Sequence, residues 1–453
     1  MIKHILSLLL LVVIWAPVSS QNFTGLKGSS YAGINSIYHN PALMVDSRMK
    51  LDVNILTTNV AAGNNFLSYE YLTNEFFEDL SEKKKNVYFN LDVRGPSAMY
   101  TFDGRSVTEL FQYFTVAIHS RVRVAVSVSN MNPNTAQLAF RGLEDSSVQK
   151  LNYFDPEFNI DAMAWTELGV SGGRTIVENG KHFVHAGLHI KKLTGGASMF
   201  FRNKNARFYG ENEDTLIIRD VDFTYGYSDE NLFGNIRDEN LYEVPGSGIG
   251  MDIGLVYEFR EDRYKRTYKQ RLTNSENKYL YRFGVALIDF GKINFNGYRS
   301  RVVRYTGDNF VSRAEMDSIG KPDDVNKLSD RKFEKQEEVD GYKMSLPTHL
   351  NFTADLNIGN GLYVNAGWVL SLRNQNKPGI NQPDFFSLIP RFEKKGVEFA
   401  LPVSLRDFDN LEYGFMARFG VVTLGADNIR GAISGKVKNA DVYLALRIPI
   451  YRK

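Results

Sequence analysis

Three stretches of the sequence hold residue types that can do chemistry. Gly169-Val170-Ser171-Gly172-Gly173 matches the G-x-S-x-G pattern, in which a serine on a strained strand-to-helix turn becomes an exposed nucleophile. That elbow requires a helix after the serine. Here Arg174-Thr175-Ile176 leads to Asn179-Gly180, a two-residue turn signal, and then to another strand-like run. A glycine-rich strand end is the better account. His182, His185 and His189 suggest a metal cluster. On a strand, however, His185 and His189 share a face about 13 Å apart, and His182 lies on the opposite face. Two ligands of one zinc ion sit at about 2 Å from the metal, so this spacing does not fit. Gly246-Ser247-Gly248-Ile249-Gly250 lacks the third glycine of a dinucleotide loop, and a strand follows it instead of a helix. Its glycines fit the inner face of a strand with something packed against it. No phosphate-loop or H-E-x-x-H pattern occurs. The reading is therefore of a protein that is not an enzyme, with no catalytic site, metal or cofactor.

Composition narrows the class further. Cysteine is absent, which removes disulfides, cysteine–zinc sites, iron–sulfur clusters, thiol nucleophiles and the acylated cysteine of a lipoprotein. Lys+Arg number 54 against 52 Asp+Glu, a net charge of +2, which argues against nucleic acid as a partner. A mean hydropathy of −0.29 excludes a helical membrane protein. Aromatics at 13%, 37 glycines and only 13 prolines in 453 residues fit a strand-rich chain.

Residues 1–20 read as a secretory signal peptide: Lys3, then an apolar run from Ile5 to Trp15, then Val18-Ser19-Ser20 before cleavage at Gln21. The run is too short for a membrane span, which takes about 20 residues. The exported protein is then either soluble or a β-barrel.

Alternation separates those two. From His349 to Ile358 the residues Leu350, Phe352, Ala354, Leu356 and Ile358 point one way, and His349, Asn351, Thr353, Asp355 and Asn357 the other. Leu362 to Arg373 repeats the pattern, with Asn365 on the polar face and Val369 as the exception. Ile249 to Arg260 opposes Asp252 and its neighbours to Ile253 and Leu255, and Val184 to Lys191 opposes His185 and His189 to Leu188 and Ile190. Segments 114–126 and 441–450 alternate likewise. Runs of this length suit tilted membrane strands of about 9–11 residues better than the five or six usual in soluble sheets. The fold class expected is all-β, an antiparallel transmembrane barrel in the outer membrane, in contact with its lipid. Its lumen-facing candidates are His185, His189, Asp252, His349, Asn351, Asp355 and Asn365.

About fourteen strands are expected, near 49–62, 96–104, 111–129, 161–175, 181–193, 215–226, 248–260, 279–291, 293–305, 345–358, 361–373, 394–405, 411–427 and 437–450. Long polar connections then alternate with brief ones (105–110, 176–180, 292, 359–360 and 406–410), the outer-membrane pattern. One connection, 227–247, is long on the side of the short turns. The charged run 306–344 reads as a solvated loop that can hold a short helix, in preference to a partner-binding surface.

Residues 21–48 precede the first strand and are not strand-like. They contain Ala32-Gly33 and Asn40-Pro41-Ala42. A fourteen-stranded barrel leaves an interior to be filled or left as a channel, and a segment of this length is a natural plug. Ala-Gly followed by Asn-Pro-Ala resembles the N-terminal hatch of FadL-type fatty-acid transporters. The rest of the chain is similar to a FadL/PorV-like outer-membrane family of unknown function, common in bacteria with type IX secretion. The resemblance rests on Gly95-Pro96-Ser97, Gly248 to Gly254, Leu346 to Asn351, Gly425-Ala426-Asp427-Asn428 and Lys438 to Tyr443. It implies fourteen strands, a lumenal hatch at Ala32, Gly33, Asn40, Pro41 and Ala42, and no catalysis. Family members often add a C-terminal peptidoglycan-binding domain, which is not expected here because the sequence ends at Lys453.

The organisation expected is thus a signal peptide at 1–20, a hatch at 21–48 and a barrel at 49–453. The function expected is passive passage of small hydrophobic or amphipathic molecules. The alternative is a PorV-like accessory barrel that binds outer-membrane or secreted proteins.

Overall fold

The structure, a computed structural model, describes residues 23–452 except 46, 71–72, 74, 80, 103–113, 230–244, 262–276, 298, 321 and 407–409. The signal peptide lies outside the described residues. So do the 105–110 turn and most of the 227–247 and 261–278 connections.

Fourteen strands close into one antiparallel barrel. They are β1 (Met49–Asn64), β2 (Lys85–Thr101), β3 (Phe114–Met131), β4 (Phe158–Asn179), β5 (His182–Gly210), β6 (Gly246–Phe259), β7 (Tyr281–Phe295), β8 (Tyr342–Ser345 continued by His349–Gly359), β9 (Leu362–Ser371), β10 (Phe385–Lys394), β11 (Val397–Ala400 with Val403–Arg406), β12 (Asn410–Tyr413 with Phe415–Phe419), β13 (Val422–Ala426) and β14 (Asn439–Tyr451). Each pairs with the next, and β1 pairs with β14 from Met49↔Tyr451 to Gly63↔Asn439, which closes the wall. Pro347 and Pro402, which have no N–H to donate, fall in the breaks of β8 and β11.

The polarity is inverted relative to a water-soluble protein. Outward residues are large, apolar and exposed: Ile249 at 72%, Ile118 at 56%, Phe283 at 50%. Inward residues at alternate positions are charged and buried, among them Asp92, Arg94, Glu167, His189, Lys191 and Asp252. A continuous apolar exterior of this extent is stable only in hydrocarbon, and closure leaves no strand edge there unpaired. The barrel therefore spans a membrane.

The strand count matches expectation, but its composition differs. The predicted strand 215–226 exists as Thr215–Tyr227, yet it is not in the wall. It pairs with the far half of β5 and with Arg301–Ser312, which pairs with Glu334–Asp340. Together these make a sheet that continues past the barrel rim. Helix Pro322–Lys332 covers it, with Val325 and Phe333 against Phe223, Tyr225 and Tyr305. The run 306–344, expected to be a loop with a short helix, does hold a helix but is largely built into this sheet. The predicted strand 293–305 is split: Ile293 to Phe295 end β7, and Arg301 onward belongs to the outer sheet. Two-residue alternation cannot tell a wall strand from a free-standing one. Conversely, β10 fell in a predicted loop because Pro390 reads as a breaker and Ile389 sits on the inner face. The single strand expected at 411–427 is β12 and β13, joined at Gly420-Val421 with Gly420 at φ +56°.

This recount reverses one connection. Both termini of the wall and the tight turns at 180–181, 360–361, 395–396 and 420–421 share one end. Residues 211–245 join the long connections at the other end. The long connection at the turn end is 260–280, not 227–247; Arg260 N there donates to Lys181 O at 2.8 Å.

Candidate functional site: the lumen and its N-terminal segment

Strand register stacks the inward side chains into layers. Toward the loop end, just inside the buried Asp161–Arg202 pair, is an apolar layer of Trp165, Leu193, Ile293, Phe295, Met344 and Leu346, with Ile380 reaching in from the 372–384 connection. One step toward the turn end lies an ion cluster. Arg121 Nε donates to Asp92 at 2.7 Å, and Arg94 Nη2 to the same carboxylate at 2.8 Å. Arg123 Nη1 reaches Asp289 at 2.7 Å and Glu167 at 3.3 Å. Lys191 sits between Asp252 (3.1 Å), Glu167 (3.6 Å) and Asp289. Charges buried to this degree are tolerated because each carboxylate meets at least one cation; removing one partner would leave its mate uncompensated.

Next come two imidazoles. His119 and His189 meet edge to face with centroids 4.2 Å apart, and Tyr38 meets both edge to face as well. His189 Nδ1 lies 2.6 Å from Asp252, and His119 Nε2 lies 3.3 Å from Ser171 Oγ. A Cβ at Gly169 would press on both rings, so glycine makes their approach feasible. Ser171 thus meets one histidine and the carboxylate meets the other, which is not a nucleophile relay. β4 runs on past Ser171 to Asn179, with no helix. Among the described residues, no group of three His, Asp or Glu could hold a metal.

Residues 23–45 occupy the lumen as short 3-10 turns, Thr24–Leu26, Gly33–Tyr38 and Pro41–Met44. Ala32, Gly33, Asn40, Pro41 and Ala42 are all buried there. Phe23 and Leu26 pack on Ile389, Met416 and Tyr443; Ile34, Ile37 and Met44 pack on Met99 and Ala117. Polar anchors tie the backbone to the wall. Arg447 donates to Tyr31 O and Ala32 O at 2.6 Å each while pairing with Asp52 at 2.9 Å. Thr24 N donates to Asp427 at 2.7 Å, Ile34 N to Asp52 at 2.8 Å, and Asn351 Nδ2 to His39 O at 2.8 Å.

The Asn40-Pro41-Ala42 turn has its own socket. Asn40 Oδ1 caps the turn by accepting from Ala42 N at 2.9 Å, and Pro41 takes the first helical position, where no N–H is needed. Asn40 Nδ2 donates to Leu255 O at 3.1 Å and Val285 O at 3.2 Å, carbonyls of two paired wall strands. Three glycines clear the space. A Cβ at Gly254 would overlap Asn40 Oδ1, one at Gly187 would overlap Pro41 and Ala42, and one at Gly284 would lie 3.1 Å from Asn40 Nδ2. On the outer side of the same wall region is an apolar groove of about 580 Å³, with Ala354 and Ala366 low between Phe283, Phe352, Trp368 and Phe386.

The other lumen-facing candidates are buried and dispersed. His185 bonds Thr175 Oγ1 at 2.9 Å near Glu258, Asp355 pairs with Arg391 at 2.8 Å and Arg282 at 3.0 Å, His349 Nδ1 meets Pro347 O at 2.8 Å, and Asn365 lies against Gly28. His189, Asp252, His349 and Asn351 lie in or beside the ion cluster; His185, Asp355 and Asn365 do not. The sequence reading missed His119, Arg121, Arg123, Glu167 and Asp289; it set Lys191 on the polar face without singling it out. The signal for Arg121 and Arg123 was present: they flank Val122 at the inward parity of β3.

The sequence matches a family model over residues 41–427, a family of unknown function, DUF5723. The chain belongs to the DUF5723 family. No curated protein matches this DUF5723 chain. Among solved structures it is similar to the toluene transporter TbuX of Ralstonia pickettii (8% identity, 96% of this chain and 100% of that chain covered, TM-score 0.42). It is also similar to the toluene transporter TodX of P. putida (8%, 93% and 95%, 0.42) and to a Pseudomonas aeruginosa FadL homologue (10%, 96% and 99%, 0.33).

Proposed function

We propose that this DUF5723 protein is an outer-membrane barrel through which small hydrophobic or amphipathic molecules pass by diffusion, with residues 23–45 as the hatch. One observation carries the reading. The wall region that receives Asn40-Pro41-Ala42 on its inner face bears the apolar groove on its outer face. A ligand enters past the apolar layer at the loop end. The hatch shifts in its glycine socket, and the ligand leaves toward the hydrocarbon or the turn end. No covalent step is involved.

The absence of cysteine makes a clean test available. Val45 Cγ2 lies 2.8 Å from where a Cβ on Gly173 would sit, so Val45→Cys with Gly173→Cys brings two thiols within reach of a disulfide. Entry of a fluorescent apolar probe such as N-phenylnaphthylamine is expected to slow when the pair is oxidised and to recover on reduction. Equal entry in the two redox states would refute the hatch.

A second reading, an accessory barrel for protein partners, is favoured by the outer sheet. Its last strand, Glu334–Asp340, is exposed at every residue and pairs on one side only among the described residues. Recovery of a stoichiometric partner in mild detergent, lost when 301–340 is replaced by a short turn, is the expected result for that reading.

A further inference from the structure

The connection that leaves β9 and returns to β10 does not stay at that edge of the wall. Gln375 accepts from Asn130 Nδ2, at the end of β3, at 3.1 Å. Gly379 N donates to the Asp161 carboxylate on β4 at 2.8 Å. Arg202 Nη2 on β5 holds the same carboxylate at 2.7 Å and donates to Lys377 O at 2.9 Å. On β8, Ser345 N donates to Pro378 O at 3.1 Å and Ser345 O accepts from Ile380 N at 3.2 Å, a parallel bridge centred on Gly379. A segment tied to β8 on one side and to β3, β4 and β5 on the other must cross the barrel mouth.

Local sequence shapes the crossing. Asn374 Oδ1 accepts from Asn376 N at 3.0 Å and Asn374 O from Lys377 N at 3.2 Å, which turns the chain inward. Gly379 has φ +140°, and a Cβ there would overlap the Ser345 backbone, so only glycine lets this amide face Asp161. Residues Asn374 to Lys377 are exposed, whereas Gly379 and Ile380 are buried. Ile380 enters the layer of Trp165, Leu193, Phe295 and Met344.

Opening this crossing costs different things at its two levels. When it lifts, Asp161 and Arg202 stay paired with each other. The freed amides and carbonyls move into water, which bonds them in turn. The place of Ile380 is different, because water gains no hydrogen bonds in an apolar layer and such a gap stays dry. An apolar molecule can fill it.

We infer that residues 374–381 are a strap that closes the mouth, with Ile380 in the first apolar position on the way in, and that an apolar molecule opens the strap by taking that position. The strap thus admits apolar ligands and holds back water and ions. Its purpose rests on the passage proposed above; its closure does not.

The absence of cysteine allows a single reporter thiol. Ala125, in the same layer, is replaced by cysteine in the full chain held in lipid nanodiscs. A charged methanethiosulfonate is expected to label Ala125→Cys slowly. Adding Gly379→Pro, which removes the amide that Asp161 holds, is expected to speed labelling at least about tenfold, the least that loss of a hydrogen bond to a charged group costs. Adding Lys377→Ala, which keeps the carbonyl that Arg202 uses, is expected to leave the rate unchanged. In the native chain, n-hexane is expected to speed hydrogen exchange at the Gly379 and Ile380 amides several-fold, and glucose is not. Equal labelling with and without Gly379→Pro, equal acceleration by Lys377→Ala, or exchange that n-hexane leaves unmoved or glucose speeds as much would each overturn the inference. None of these readouts needs a ligand to cross the barrel. Equal probe entry in the two redox states of the Val45–Gly173 pair would end the hatch proposal and leave the strap standing.

Discussion

Replacing Asn40 separates capping from docking. Asn40→Ala removes an N-cap, worth about 0.5–2 kcal/mol, and two donated hydrogen bonds, worth about 0.5–1.5 kcal/mol each. The wall carbonyls of Leu255 and Val285 lie on paired strands and keep the ladder, so the lower part of each range applies to them. A total of roughly 1.5–4 kcal/mol lowers the ratio of docked to undocked N-terminal segment by about 10- to 700-fold, at 1.4 kcal/mol per factor of ten. Asn40→Asp is the sharper variant. Aspartate caps as well as asparagine, and Oδ1 can still accept from Ala42 N. Its second oxygen, however, faces two carbonyl oxygens in place of the Nδ2 donor. The expected order of docking is wild type, then Ala, then Asp, although Asp is the closest in shape. Hydrogen exchange followed by mass spectrometry reads this from the amides of residues 23–45, with the wall strands as internal reference. If Asn40→Asp protects those amides as well as wild type does, the socket geometry is not what holds the hatch.

Three further outcomes follow from the same geometry. Gly254→Val puts a side chain onto Asn40 Oδ1 and should free the hatch amides while leaving wall protection intact, whereas Gly172→Ala, whose nearest neighbour is a Phe114 ring carbon at 3.6 Å, should change the melting midpoint little. Phe283→Arg, on the outer wall, should cost about 2–4 kcal/mol in folding into lipid vesicles if that position is near the bilayer midplane; folding yield equal to wild type would argue against a lipid-facing surface there. In the outer sheet, the hydrogen bond from Arg304 holds the Asp222 carboxyl below its usual range. A depressed folded-state value means that the contribution is complete above the ordinary aspartate range and is lost as pH falls through and below it. Limited proteolysis at 215–227 and 301–312 should therefore be unchanged between pH 5 and 8 and rise only on stronger acidification. The effect should be small because both groups are partly exposed.

What the sequence determined by itself is the two-sidedness of the wall. Leu350, Phe352 and Leu356 against Asn351 and Asp355 require a sheet with one apolar and one polar face, and that is a local, period-two property any reader of the chain can see. The Asn40-Pro41-Ala42 turn was legible for the same reason, since capping and proline placement are local. Which strands form the wall was not. Thr215–Tyr227 and Arg301–Ser312 alternate as well as any wall strand, and only their pairing with the far half of β5 places them beyond the rim. The ion cluster, the His119–His189 contact, the glycine socket and the mouth strap likewise join residues from distant strands. Their meeting depends on the register of a closed sheet, and register is a relation between strands that no single stretch of sequence contains.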